Sequence, residues 1–196
     1  LGIRVKADQV LVTTGAQQAL TLIAEAFIDP DDIIITEGPT YLGALQAFSA
    51  FEPDVRAIPF DEDGMRMDLL EEELKRIGKD NPRLKFCYTI PNFQNPGGVT
   101  MTAERRRRLL ELAHEYNFMV VEDDPYGRLR YDGGHQVPLK AMDDSVIYLG
   151  TISKMLGPGL RTGWIAAPEA VLARINLVKQ GADLCGSAFD QLVVQH

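Results

Sequence analysis

Short apolar, β-branched runs alternate along this chain with longer amphipathic stretches, and that alternation constrains the fold more than any other feature. Phe118-Met119-Val120-Val121 and Val146-Ile147-Tyr148-Leu149 are runs of strand length with no polar face, as expected for strands covered on both sides. The pattern predicts strands near 10–13, 32–36, 54–59, 84–90, 118–122, 146–150 and 163–167. It predicts helices near 16–28, 41–51, 68–77, 102–116 and 169–184. Such alternation folds into a mostly parallel sheet with helices on both faces, here a three-layer α/β/α sandwich on seven strands. Asp61-Glu62-Asp63-Gly64 reads as a turn, and Gly78-Lys79-Asp80-Asn81-Pro82 as the stop of the acidic helix before it.

Composition narrows the partners. With 45% hydrophobic and 24% charged residues the chain has the balance of a folded domain rather than a disordered one, and 196 residues allow one sizeable core. A net charge of −8 argues against nucleic acid as a default partner. No run is long enough for a membrane helix. Cys87 lies in a predicted buried strand far from Cys185, which favours a free core thiol over a disulfide or metal ligand. His114 is placed on a helix surface, His135 in a Gly-rich loop and His196 at the terminus, so no metal set is expected. The run Arg105–Arg108 points around its helix and is expected to be solvated and ion-paired between segments.

In open α/β sheets functional loops lie beyond the carboxyl ends of strands, and four segments stand there. Thr151-Ile152-Ser153-Lys154 follows the strand at 146–150, and Gly157-Pro158-Gly159 brings in Arg161. A lysine amine condenses with aldehydes, while arginine with hydroxyls holds phosphate; an aldehyde that carries a phosphate is pyridoxal phosphate. Glu122-Asp123 closes the strand at 118–122, and a buried Asp there would meet the ring N–H of such a cofactor, with Tyr126 three residues on. Pro91-Asn92-Phe93-Gln94-Asn95-Pro96 follows the strand at 84–90 and can aim the Asn95 amide into a cleft. Gly15 sits between a strand and a helix, where backbone N–H groups can approach phosphate. Each segment alone has a plainer reading: a surface lysine, a strand-end turn or helix cap at Asp123, a Pro/Gly turn, an ordinary strand-to-helix glycine.

In this order and spacing, Gly15-Ala16-Gln17-Gln18-Ala19-Leu20, Pro39-Thr40-Tyr41, Asn95-Pro96-Gly97-Gly98, Asp123-Asp124-Pro125-Tyr126, and Ser153-Lys154 through Gly159-Leu160-Arg161-Thr162-Gly163-Trp164 resemble the class I/II aminotransferases, the fold-type I pyridoxal-phosphate enzymes. The resemblance covers nearly the whole chain. Thr89-Ile90-Pro91-Asn92-Phe93-Gln94-Asn95-Pro96 and Glu122-Asp123-Asp124-Pro125-Tyr126-Gly127 look most like the branch of 2-aminoadipate and broad-specificity aminotransferases.

The resemblance implies that Lys154 holds the cofactor and moves a proton, and that Asp123 pairs with the pyridine nitrogen. By the same resemblance Tyr126 and Asn95 bond the ring oxygen, and Asn95 also approaches the substrate carboxylate. Tyr41 would stack on the ring, with Ala16, Gln17, Thr151, Ser153 and Arg161 around the phosphate. It implies amino-acid and 2-oxo-acid substrates, a homodimer and, by default, the cytoplasm. Ala16 and Gly97 depart from the family pattern, Ala16 removing one hydroxyl contact to phosphate. Family members run to roughly twice this length, beyond the usual size of one domain. The chain starts at Leu1 without Met and stops at His196 in a helix-like run. Residues 1–196 are therefore expected to be an incomplete cofactor-binding large domain, without its N-terminal segment and C-terminal small domain. Residues 169–196 are expected as a helix leading toward that small domain. Weak turnover and self-association through uncovered apolar surface follow from that expectation. Two other readings suit the same residues, a cofactor-binding sensor within a transcription regulator and a carbon–sulfur lyase or decarboxylase.

Overall fold

A computed structural model describes residues 2–195. The elements run β1 (Val10–Thr13), α1 (Ala16–Phe27), β2 (Ile33–Gly38), α2 (Leu42–Ser49), β3 (Asp54–Asp61), β4 (Gly64–Met65), α3 (Met67–Ile77), β5 (Leu84–Thr89) and α4 (Ala103–Tyr116). They continue with β6 (Met119–Asp123), α5 (Leu139–Met142), β7 (Ile147–Thr151), β8 (Gly163–Ala166), α6 (Glu169–Ala182) and α7 (Ala188–Gln195). The predicted His196 lies outside the described residues.

The sheet has eight strands in the order β1-β8-β7-β6-β5-β2-β3-β4. This corrects the expected seven. The added β4 pairs Met65 with Phe60 and Gly64 with Asp61, so the acidic turn at 61–64 closes a hairpin. The four central pairings, from β3 through β2, β5 and β6 to β7, are parallel, and the pairings at both edges are antiparallel. Parallel strands need covering on both faces, and period-2 alternation supplies apolar side chains to each. Phe86 and Tyr88 on β5 face α1, α2 and α6, where Phe48 meets both rings edge-on at 5.4 and 5.5 Å. Their neighbour Cys87 faces the opposite layer of α3, α4 and α5, with Leu70, Leu109 and Leu139. Cys87 is thus a buried free thiol, and Cys185 is a free, exposed one.

Local signals bound the helices. The Thr102 hydroxyl accepts the Arg105 N–H at 3.5 Å at the start of α4, and Asn117 at φ 57° ends it. Asp68 sits in the first turn of α3, Lys75 and Arg76 in its last, and Gly78 at φ 89° stops it. The segment after Pro168 forms two helices rather than one, broken at 183–187, where Leu184 adopts φ 57°. Leu177, Leu184, Phe189 and Leu192 stay exposed along these terminal helices. Among the described residues no helix is long and apolar enough to cross a membrane.

The chain runs outward from β2 to β3 on one side of the sheet, while β5 to β8 lie on the other side. Loops that leave β2 and β5 therefore diverge, opening a crevice beyond the carboxyl ends of the parallel strands.

Candidate active site

A cleft of about 220 Å³ occupies that crevice. Lys154, Asp123 and Arg161 line it, together with Tyr41, Asn95 and Tyr126. Ala16 and Gln17 reach it from the start of α1, and Thr151 and Ser153 from the end of β7. Ten residues singled out from sequence thus come from five separate stretches to one cavity.

One buried carboxylate, Asp123, lines the cleft, and Asp124 and Glu37 lie buried behind it. Asp123 ends β6 fully covered, and its Oδ2 accepts the Tyr88 hydroxyl at 2.8 Å. Its Oδ1 is buried with no partner, an uncommon state for a carboxylate oxygen. Burial, reinforced by the neighbouring Asp124, pushes Asp123 up to about 7 against the pull of the Tyr88 bond. The turn role falls to the next residue: Asp124 Oδ1 accepts the Gly127 N–H at 3.0 Å and Asn92 Nδ2 at 2.9 Å, and its Oδ2 accepts the Tyr148 hydroxyl at 3.1 Å. Asp123 is thereby left free to face the cleft.

Glu37, near the end of β2, accepts from the Thr89 hydroxyl at 2.5 Å, the Ile90 N–H at 3.2 Å and Gln94 Nε2 at 3.1 Å. Burial raises it to about 7 despite these donors. Gln94 also donates to Pro39 O at 2.9 Å and accepts the Gly97 N–H at 2.7 Å. The loop that carries Asn95 is in this way tied to the segment that carries Tyr41.

The opposite end is a cup for an anion. Gly15, at φ 82°, leaves the first turn of α1 without a side-chain cap, so its N–H groups are open to a ligand. Arg161 lies against Gly15 and donates to Thr14 O at 3.2 Å and Pro158 O at 3.0 Å. A Cβ on Gly15 would fall 2.4 Å from Arg161 Nη2, so only glycine admits the guanidinium here. Thr151 Oγ1 lies 3.0 Å from Ser153 Oγ. Lys154 is exposed in the turn that follows. The cleft therefore combines an amine, an unpartnered buried carboxylate oxygen and a cationic, hydroxyl-bearing anion cup.

Sequence reasoning missed Tyr88, Glu37, Asn92 and Gln94, whose roles come from partners on other strands. It misplaced Arg106, which is 1% exposed although its neighbours Arg105 and Arg108 pair with Asp61 and Glu71 on other segments as expected. Trp164 is half-buried with its indole across Gly150. Among the described residues no group of three or more His, Cys, Asp or Glu side chains is placed to hold a metal ion.

The model of the family "Aminotransferase class I and II" matches residues 2–193. The chain belongs to this family. It is 53% identical over 186 residues to aromatic-amino-acid aminotransferase 1 of Thermococcus litoralis, covering 94% of this chain and 45% of that protein. A crystal structure of Pyrococcus horikoshii kynurenine aminotransferase in complex with PMP, KYN as substrates and KYA as products superposes with a TM-score of 0.89 at 50% identity, over 94% of this chain and 46% of that one. An uncharacterized HTH-type transcriptional regulator of Bacillus subtilis, YisV, is 37% identical over 191 residues, 96% of this chain and 38% of the regulator. The chain spans less than half the length of each of these relatives.

Proposed function

We propose that the protein containing this chain is a pyridoxal-phosphate-dependent aminotransferase, which moves an amino group between an amino acid and a 2-oxo acid by a ping-pong cycle. Residues 1–196 would form its cofactor-binding large domain, with the helices after Pro168 leading toward a second domain. The observation that carries this reading is Asp123 Oδ1, buried and unpartnered in the cleft that Lys154 and Arg161 also line. That oxygen fits the N–H of a protonated pyridine ring, and the Gly15–Arg161 cradle fits a phosphate. A relative crystallised with PMP supports the same cofactor.

When bound, pyridoxal phosphate supplies an electron sink for charge developing at the substrate Cα. The residues of this chain would supply the rest. Asp123 holds the ring nitrogen protonated, and Tyr88 fixes its second oxygen. Arg161, Thr151, Ser153 and the α1 N–H groups at Ala16 and Gln17 hold the phosphate. Tyr41 covers a ring face, and Asn95 and Tyr126 donate to the ring oxygen, with Asn95 also near the substrate carboxylate. Lys154 Nζ anchors the cofactor, then holds and moves the proton taken from Cα.

We place the protein in amino-acid metabolism, as a cytoplasmic homodimer, a state supported by the exposed apolar side chains of α6 and α7. Full-length protein given an aromatic amino acid or 2-aminoadipate with 2-oxoglutarate should yield glutamate and the matching 2-oxo acid with ping-pong kinetics. Release of ammonia without an acceptor would indicate a lyase instead. The 196-residue chain alone should turn over weakly or not at all.

A second reading, a cofactor-binding sensor in a transcription regulator, is favoured by the 37% identity to the Bacillus subtilis regulator. Lys154-dependent cofactor binding without any turnover by the full-length protein would select it.

A further inference from the structure

Arg106 is a permanent cation taken almost wholly out of water on α4, on the far face of the sheet from α1. Such burial is costly unless the guanidinium donors are met, and here they are met by a particular set of acceptors. Nε donates to Met101 O at 2.9 Å. Nη2 donates to Pro91 O at 2.9 Å and Asn92 Oδ1 at 2.8 Å, and Nη1 to Val137 O at 3.2 Å. Glu122 Oε1 lies 3.9 Å from Nη1. Asn92 extends the contact, its Nδ2 donating to Asp124 Oδ1 at 2.9 Å.

These acceptors are the ends of two loops. Pro91–Asn92 and Met101 bracket the loop that carries Asn95. Asp124, reached through Asn92, and Val137 bracket the connection that carries Tyr126. Glu122 also closes the second connection, its carboxylate accepting the Leu139 and Lys140 N–H groups at 2.9 Å, and Arg106 adds hydrogen bonds to both ends of the first loop. A planar fork with five donors can serve four directions at once, which a lysine ammonium cannot.

Resting on the cofactor reading above, we propose that Arg106 is a positioning residue for the reaction: it clasps both ends of the first loop directly, holds the second at Val137 and, through Asn92, at Asp124, and so sets Asn95 and Tyr126 relative to each other in the cleft. It touches neither substrate nor cofactor and acts through Asn92, Asp124 and the loop backbones.

The test uses Arg106→Met and Arg106→Lys in the purified chain, with two readouts. The first is amide hydrogen exchange without cofactor. Gln94, Gly98, Gly127 and Leu129 have bonded N–H groups within the two loops. They should exchange about tenfold faster in the variants, while amides of β5 and β6 keep their rates. The second is a pH titration of the Lys154-dependent absorbance after adding pyridoxal phosphate. Two donors on the ring oxygen favour the deprotonated, more negative form, so loosening them should raise the apparent pKa of the band.

Faster exchange confined to the loops together with a raised pKa supports the proposal. Unchanged loop exchange overturns it, and so does exchange that rises equally through the sheet, which would make Arg106 a general stabiliser. Faster loops with an unmoved pKa also overturn it. If neither the wild-type chain nor the full-length protein forms a Lys154-dependent band, the cofactor reading fails by itself, and the exchange pattern alone decides the clasp. Should Arg106→Met fail to fold, Arg106→Lys keeps the charge and carries both readouts.

Discussion

The two walls of the cleft are built differently. The wall from β2, β5 and β6 is buried: Glu37, Tyr88, Asn92, Gln94, Asp123 and Asp124 are joined by hydrogen bonds across three strands. The wall from residues 151–161 is a turn with Lys154 and Arg161 exposed. The buried wall is ordered by its own bonds before any ligand arrives, and one carboxylate oxygen is left over for the ligand. The exposed wall carries the Lys154 amine and the Gly15–Arg161 cradle, which on the proposed function a bound phosphate would complete. On the proposed function, orientation would be stored in one wall and reactivity presented on the other.

The buried wall and the strand end beside it hold carboxylates raised by burial. Glu37, Asp123 and Glu122 are all held near 7 by burial, whereas their ordinary values are 4.5 for Glu and 3.8 for Asp. The folded chain therefore keeps protons that the unfolded chain releases near pH 4. The stability these groups contribute is full below that range and is lost as pH rises through about 7. The cofactor-free chain should melt at a lower temperature at about pH 8 than at about pH 5.5, a difference on the order of a few kcal/mol in all. Glu122→Gln should remove part of that slope, and a melting temperature that climbs over this range would break the comparison.

Asp123→Ala removes the leftover oxygen and should weaken pyridoxal phosphate binding roughly tenfold to a hundredfold, the order of one buried charge-assisted hydrogen bond. Equilibrium titration with the cofactor checks it. On the exposed wall, Gly15→Ala forces a side chain at φ 82° against Arg161 and should cost about tenfold in affinity for phosphate-bearing ligands, with less effect on pyridoxal lacking phosphate. Equal losses for both ligands would contradict the assignment of that end to phosphate. The smallest change is expected from Tyr88→Phe, about a few-fold in cofactor affinity, because Asp123 loses a supporting bond and not its free oxygen.

The walls also differ in how far they can be read from sequence. Gly15, Asp123 and Lys154 follow apolar runs within a few residues, so the strand ends bring them to one edge of the sheet, and Gly157-Pro158-Gly159 carries in Arg161. Tyr88 looks like any aromatic in a buried strand, and its partner Asp123 is 35 residues away. Glu37 and Gln94 meet across 57 residues. Strand order, which no local pattern shows, creates these pairs. Arg106 did carry a signal: it precedes the buried Leu109 and Leu110 by three and four residues, on the core-facing stripe of α4. The run of four arginines around it hid that register. The short β4 was hidden likewise, since two residues show no alternation.

Absorbance spectroscopy after adding pyridoxal phosphate to this chain and to Lys154→Ala tests the central claim most directly. The expected result is a band at roughly 360–430 nm that survives dialysis and is fixed by borohydride only when Lys154 is present. An identical band in both chains, or none in the wild-type chain and none in the full-length protein, would contradict it.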